Sequence, residues 1–528
     1  MPKWRNWQTR CVQGAVGAIL WGFKSPLRQN IRYAPVCSKI FLLTFVIYFG
    51  NLLAGYHTIE TSEQELTELN TIYPNITSLE SLGVSTQDRI TLRGFKISDN
   101  PTEMEDEPSV LITGAIHAEE LVGVEVCHYA INKLLTGYTN DSLLTYLIDN
   151  LQIYFIPIVN PEGHSVVTSG LDITYRKNKR DNNANGIFDF TPGDGGDIDG
   201  VDLNRNFPFN WEGGDSQWIS TSYRGPYPGS ENEIQSIMRL AENYRFVEAL
   251  FYHSSRSGRY NEWVIYPWIW GGVQSPDFPV ISDIARTLAS RLVSLRGGNY
   301  QAWYSISRNG NANDWFYSQL GTICLTVEVD TTTQPDTTRL YSVCENQWNG
   351  IKYILERALQ SGITVYVYDS LTGGPLSAEV KVTEAYDSIL APRITDERFG
   401  VHRRLLLPGT YHIIISSSGY RPETLAVSVC AERPTIIRAN LVPLTPGISQ
   451  AENDQESILF YSTGKMLYFK PDTCYREITL FNIAGKKVFE HRVNGHSCTI
   501  SLEVPSGIYI ARITGGNKKQ VRKIVVLQ

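Results

Sequence analysis

From Tyr56 to about Gln360, short continuous apolar runs alternate with stretches of helical period. "SVLITGAI" (109–116), "LQIYFIPIV" (151–159), "VEALFYH" (247–253) and "TICLTVEV" (322–329) are rich in β-branched and aromatic residues and predict strands. Between them Val124, Cys127, Ile131 and Leu134 recur at intervals of three and four, which predicts a helix. "SENEIQSIMRLAENY" (230–244) predicts another, with Ser230 and Glu233 spaced as a capping box. Strands that are apolar throughout are buried on both faces. Their alternation with helices predicts an α/β domain with a largely parallel sheet.

At about Ser361 the pattern switches to period two with Gly/Pro turns. "GITVYVYDSLTGGPLSAEVKVTE" and "PGTYHIIISSSGYRPETLAVSV" predict a small β-sandwich. The Pro-, Ser- and acid-rich stretch "LVPLTPGISQAENDQES" predicts a linker, and strand-like segments resume after it. The expected domains are 56–360 (α/β), 361–445 (β-sandwich), 446–454 (linker) and 455–528 (a second small β-sandwich).

Composition narrows the class. Of 528 residues, 42% are hydrophobic and 19% charged, as in soluble globular chains. The net charge of −7 gives no electrostatic reason to expect a nucleic acid partner. No Cys-x-x-Cys pair points to a cysteine zinc site. Cys127 and Cys324 read as small buried hydrophobes, while Cys474 and Cys498 are close enough in sequence to pair in an exported protein. "SKIFLLTFVIYFGNLLAG" has a basic flank, an apolar run and a small-residue exit, the pattern of a secretory signal peptide. The strongest part of the run falls short of the roughly 20 residues a bilayer span needs, so no stable membrane anchor is expected, although an anchor is the rival reading. Met1–Asn30 resembles a translated transfer-RNA gene. The true start is expected near Ile31 or Arg32, and residues 1–55 are left out of the fold.

Candidate chemistry collects at strand ends, where open α/β sheets bind ligands. His117 and Glu120 follow "VLITGAI", His253 ends "VEALFYH", and Glu328 lies late in "TICLTVEV" on the face of Cys324 and Thr326. Bare carboxylates buried there cost several kcal/mol unless a cation or a proton compensates (~3–5 kcal/mol when unpaired). Two histidines and a glutamate suit Zn²⁺ with an open fourth position for water, and Glu328 is placed to take that water's proton. The neighbours Asn204 and Arg205 in "GVDLNRNF" match a carboxylate, and Arg176 in "TYRKNKRDN" is a candidate to stabilise an oxyanion. A lone strand-end histidine is ordinarily structural, so the combination carries the argument. His57, His128, His164, His402, His412, His491 and His496 are read as structural or surface residues.

"HAEE", "YRKNKRDNN", "GVDLNRNFPFNW", "YRGPYPGSENE", "FYHSSRSG" and "NDWFYSQLGTICLTVEV", in this order over about 300 residues, resemble the zinc metallocarboxypeptidases of the carboxypeptidase A type. The resemblance implies an α/β/α sandwich around a mixed sheet. It implies zinc on His117, Glu120 and His253, Glu328 as general base, a carboxylate clamp at Asn204 and Arg205, and Arg176 at the tetrahedral intermediate. It makes Tyr304 the match to the substrate-capping tyrosine, although "YSISRNGNANDW" is about two residues longer than the usual spacing. Asn313 stands where the family tunes side-chain preference; being neither acidic nor bulky, it favours neutral C-terminal residues. Glu119 replaces an arginine of many digestive members and is not expected to be a ligand. Peptide or protein C-termini are the implied substrates. Murein stem peptides and a catalytically dead surface adhesion protein are the two rivals.

In "DNNANGIFD", Asp181, Asn183, Asn185 and Asp189 resemble the first nine positions of a calcium loop, so a Ca²⁺ site is the expectation beside the alternative of a polar surface loop. Residues 361–445 resemble a transthyretin-like regulatory domain. "ITLFNIAGKKVFEHRV", "VPSGIYIARIT" and "RKIVVLQ" resemble the C-terminal sorting domain of type IX secretion cargo. That resemblance implies a Gram-negative cell, Sec export, passage through the type IX machinery, and a secreted or cell-surface product. A carbohydrate- or partner-binding sandwich is the alternative.

Overall fold

The computed structural model describes residues 55–193, 196–254 and 261–444. Towards the C-terminus it describes 459–463, 466–470, 477–492, 498–505, 507–515 and 518–526. The signal peptide, the linker 446–454 and the Cys474–Cys498 pairing fall outside the described residues. The chain divides into two compact units that meet at Thr445/Pro446.

The first unit is built on a nine-stranded mixed sheet. Its strands are β1 (Thr77–Val84), β2 (Thr91–Ile97), β3 (Ser109–Thr113), β4 (Gln152–Ile156), β5 (Glu248–His253), β6 (Trp263–Trp270), β7 (Val273–Gln274), β8 (Gln301–Ile306) and β9 (Ile323–Glu328). The order is β1-β2-β4-β3-β5-β9-β6-β7, with β8 also pairing β6. The four central strands β4, β3, β5 and β9 are parallel, and every residue in them is buried.

Strand alternation distributes the apolar residues between two cores. Val110, Ile112, Ile153, Phe155, Leu250, Tyr252, Leu325 and Val327 face one side. They pack there against α1 (Ile59–Ile72), α2 (Val122–Gly137), α3 (Ser142–Ile148), α6 (Phe278–Arg291) and α8 (Thr337–Ala358). Leu111, Tyr154, Ile156, Ala249, Phe251 and Cys324 face the other side, against α5 (Asn232–Tyr244) and α7 (Ala312–Trp315). A short helix, α4 (Pro161–Thr168), follows β4. Each such Ile, Leu or Phe, fully buried, contributes about 1.5–3 kcal/mol. The result is the expected α/β/α sandwich.

The helix at 232–244 forms, but not by the expected cap. Its N-cap is Glu231, with no side-chain capping bond. Ser230 Oγ donates to Glu231 Oε1 (2.5 Å), and Glu233 accepts instead from Thr86 Oγ1 (2.6 Å). The buried carboxylate is used to tie α5 to the turn after β1.

Residues 361–444 form two three-stranded sheets. One is β12-β10-β15 (Val401–Leu405, Gly362–Asp369, Pro434–Leu441) and the other β11-β13-β14 (Glu379–Val382, Gly409–Ser416, Glu423–Val429). They enclose Val365, Val367, Val380, Ile413, Ile415 and Ala439. The sandwich is fixed to the α/β body by charged groups. Arg404 grips Asp277 with Nε and Nη2 at 2.8–3.2 Å, and Arg393 donates to the carbonyls of Tyr317 and Ser318.

Among its described residues the second unit holds seven strands, β16 to β22, in two antiparallel sheets: β16-β17-β20 (Leu459–Thr463, Met466–Lys470, Cys498–Ser501) and β19-β18-β21-β22 (Lys487–Arg492, Glu477–Asn482, Gly507–Gly515, Lys518–Val526). Ile478, Leu480, Ala511 and Ile513 form its core. Among the described residues no helix is long and apolar enough to cross a membrane.

Candidate metal centre and substrate cleft

Three chain segments meet at the C-terminal edge of the parallel strands. After β3 the chain passes Gly114, where a Cβ would lie 2.5 Å from the Gly123 carbonyl carbon and 2.7 Å from the Pro157 oxygen. Only glycine permits this approach, and it lets the following turn carry His117 and Glu120 over the sheet. β5 ends at His253 and β9 at Glu328, paired directly with each other in the parallel register. Glu328 shares its face with Cys324 and Thr326, as the alternation predicts.

The side chains converge. His117 Nδ1 and His253 Nδ1 are 3.0 Å apart, His117 Nδ1 is 3.0 Å from Glu120 Oε1, and His253 Nδ1 is 2.7 Å from Glu120 Oε2. All three residues are buried. One donor atom from each of the three side chains lies within 4.8 Å of the others. The imidazoles are tilted by 59°. Two nitrogens aimed at each other across a buried carboxylate call for a cation between them. The donor set, two imidazoles and one carboxylate, is one that zinc takes.

The next layer fixes these side chains. His117 Nε2 lies 3.1 Å from Asp202 Oδ1, which makes Nε2 the donor and leaves Nδ1 turned towards Glu120 and His253. Asp202 also accepts from Arg176 Nε and Nη2 (3.1 and 3.0 Å) and from the Asn204 main-chain N–H (2.9 Å). Arg176 and then His117 hold the Asp202 carboxyl well below its ordinary range, against the effect of burial. His117 and His253 likewise keep Glu120 low in spite of burial. Glu328 moves the other way: burial first, then the charge of Glu120, push its pKa up.

A cleft of about 280 Å³ opens over this group. His117, Glu119, Glu120, Arg176, Asn204, Arg205, His253, Asn313 and Glu328 all line it. Thus nine of the cleft's residues come from positions that the sequence singles out. Asn204 is braced, its Oδ1 accepting from the Ala312 N–H (2.9 Å). The amide of Asn313 is engaged at both ends, donating to the Ile265 carbonyl and accepting from Thr326 Oγ1. Glu119 stands 3.7 Å from Arg176 Nη1 and outside the ligand group. Asp202 was not anticipated; the signal was its place two residues before Asn204.

Tyr304 is not brought to the cleft. It sits on β8, whose pairing with β6 holds its ring against Tyr266, Phe278 and Trp303. The calcium expectation also finds no support. Asp181 accepts from the main chain of Asn185 and Gly186, while Asn183 and Asn185 turn their Nδ2 donors towards Asp189. Among the described residues no metal-sized group of carboxylates forms in this loop.

A second buried group, His57, Glu65 and His128, is of a different kind. Its two rings stack in parallel, 4.1 Å apart and 7° from coplanar, so one ion would lie out of both ring planes. His57 instead bridges Glu65 (2.9 Å) and Glu125 (2.8 Å). Burial opposes a charge there, yet Glu125 and Glu65 push the His57 pKa up to about 10. This is an ion-pair cluster joining α1 to α2, in keeping with the structural reading of both histidines.

Comparison with known proteins agrees with this geometry. Residues 62–350 match the zinc carboxypeptidase family model, and 464–527 match that of the secretion system C-terminal sorting domain. Carboxypeptidase A2 of Rattus norvegicus is 28% identical over 269 residues, covering 50% of this chain and 60% of that protein. Carboxypeptidase D of Homo sapiens is 27% identical over 412 residues, covering 73% of this chain and 27% of that one. The carboxypeptidase A structure from Helicoverpa armigera aligns with a TM-score of 0.50 at 22% identity, covering 57% of this chain and 73% of that one, a likeness of fold. An α/β/α body with a His₂Glu group at its strand ends defines a metallopeptidase class. The chain belongs to the zinc carboxypeptidase family. Its sorting domain marks it for type IX secretion, to the cell surface or beyond.

Proposed function

We propose that the chain is a secreted zinc-dependent carboxypeptidase that hydrolyses the C-terminal peptide bond of peptides and proteins. The observation that carries this reading is the meeting of His117, Glu120 and His253 within 2.7–3.0 Å, with Glu328 next to His253 across the strand pair. Zinc held by these three residues supplies a Lewis acid for a carbonyl and lowers the pKa of a water to about 7.

The other steps belong to the chain. Arg205, with the Asn204 amide, holds the free terminal carboxylate of the substrate, which excludes peptides that lack one. Arg176, oriented by Asp202, faces the developing oxyanion. Glu328, beside His253 in the strand register, takes a proton from the attacking water and returns it to the leaving amine. The 361–444 sandwich reads as a transthyretin-like domain that supports folding of the catalytic body. The alignment with carboxypeptidase D, covering 73% of the chain, reaches beyond residues 62–350 and favours that reading. The C-terminal unit is taken as the part that the type IX machinery recognises and removes.

Glu328→Gln is expected to keep its zinc and lose about 10²–10⁴-fold in kcat on a peptide with a free C-terminus. Full activity in that variant contradicts the role. Chelation is expected to abolish release of the terminal residue, and added zinc to restore it.

A further inference from the structure

The cleft is lined by two sets of residues. His117, Glu120, His253, Glu328 and Arg176 line it around the candidate metal centre. Ile265, Ser305, Arg308, Asn311, Asn313 and Thr326 form another part of its wall. This wall is pressed against the carboxylate clamp. At Gly310 a Cβ would come within 2.1 Å of the Arg205 carbonyl oxygen, and the Gly310 carbonyl accepts from the Phe207 N–H (3.0 Å). A substrate whose terminal carboxylate sits at Asn204 and Arg205 has its last Cα only a bond away. The side chain of that residue therefore meets the 305–313 wall.

Among the described residues the wall holds one charged side chain, Arg308, two positions before that glycine. It lines the same cleft as Asn204, Arg205 and Glu328. Among the described residues no acidic side chain lines this part of the wall. Asp314, behind it, is fully buried and accepts from Ser307 Oγ (2.8 Å) and from the Arg308 main-chain N–H (2.9 Å). Asn313, the residue from which the sequence suggests a neutral preference, has its amide committed to Ile265 and Thr326. It shapes the wall and carries no charge.

We propose that Arg308 selects substrates whose C-terminal residue is Asp or Glu, by a charge-assisted contact with the side-chain carboxylate. This rests on the carboxypeptidase reading above. A cation at this place attracts the acidic side chain and repels Lys or Arg, so specificity comes from both attraction and repulsion.

The test uses the zinc-loaded full chain and N-acylated tripeptides that differ only in a C-terminal Glu, Leu or Lys. The wild type is expected to show kcat/KM for Glu about tenfold or more above Leu, with Lys last. Arg308→Gln is expected to collapse the Glu:Leu ratio about tenfold, and Arg308→Glu to bring Lys above Glu. Arg308 is exposed, and matched melting temperatures exclude misfolding as the cause. Equal losses on Glu and Leu peptides would assign Arg308 to the terminal carboxylate and overturn the proposal. Turnover of all three peptides by the wild type without an acidic preference overturns it as well and leaves the carboxypeptidase reading standing. Cleavage of none of them, with zinc bound, defeats that reading and this assignment together.

Discussion

At the scale of the residue, Asp202 does three things at once. It fixes the His117 ring through Nε2, orients the Arg176 guanidinium, and caps the turn that presents Asn204 and Arg205. Removing its charge leaves an acceptor but weakens all three. Asp202→Asn is expected to lower zinc affinity about 10–100-fold, measured by competition with a chromophoric chelator. An unchanged affinity would mean that the ligand geometry is held by packing alone. The proposed ligand set was legible because a buried carboxylate needs a cation or a proton, and two strand-end histidines beside it point to a cation. Asp202 was not, because its role depends on a fold that brings it to His117 from 85 positions away. Tyr304 lies on β8 outside the cleft lining, a placement that sequence spacing does not report, because spacing does not say which strand a tyrosine pairs with.

At the scale of the element, the central strands β3, β4, β5 and β9 were readable because double burial leaves a continuous apolar signature. Helix α8 was harder to read, since its buried face includes Gln347 and Gly350. Gln347 donates to the Tyr300 hydroxyl (3.1 Å), and a Cβ on Gly350 would meet Leu288 at 2.7 Å, so both serve tertiary contacts that no periodicity encodes. β5 has a cost at its first position. Glu248 is buried with both carboxyl oxygens unpartnered, and burial pushes its pKa up to about 8, with Arg357 pulling the other way. Between about pH 4.5 and 8 the folded chain keeps a proton that the unfolded chain has released, so this residue's contribution falls as pH rises through that window. Glu248→Gln removes the titration. Its stability relative to wild type is expected to grow from pH 5 to pH 8.5 by a few kcal/mol (~1.4 per pKa unit), read from urea denaturation. A difference independent of pH would contradict the buried-acid account.

At the scale of the whole molecule, the sequence divides labour among its parts. The α/β body carries the cleft and the 361–444 sandwich is bolted to it by Arg404 on Asp277, while the C-terminal unit matches an export signal. The change of period near Ser361 made that division visible. The charged bolts between body and sandwich were not visible, because an arginine on a strand reads as surface until its partner is known. The central claim is that residues 136 positions apart come together on one divalent ion. It is tested most directly by diffraction from zinc-loaded crystals at the zinc absorption edge. The account predicts an anomalous peak about 2.0–2.2 Å from Nδ1 of His117, Nδ1 of His253 and a carboxyl oxygen of Glu120. Zinc bound elsewhere, with these three side chains left unligated, would contradict it.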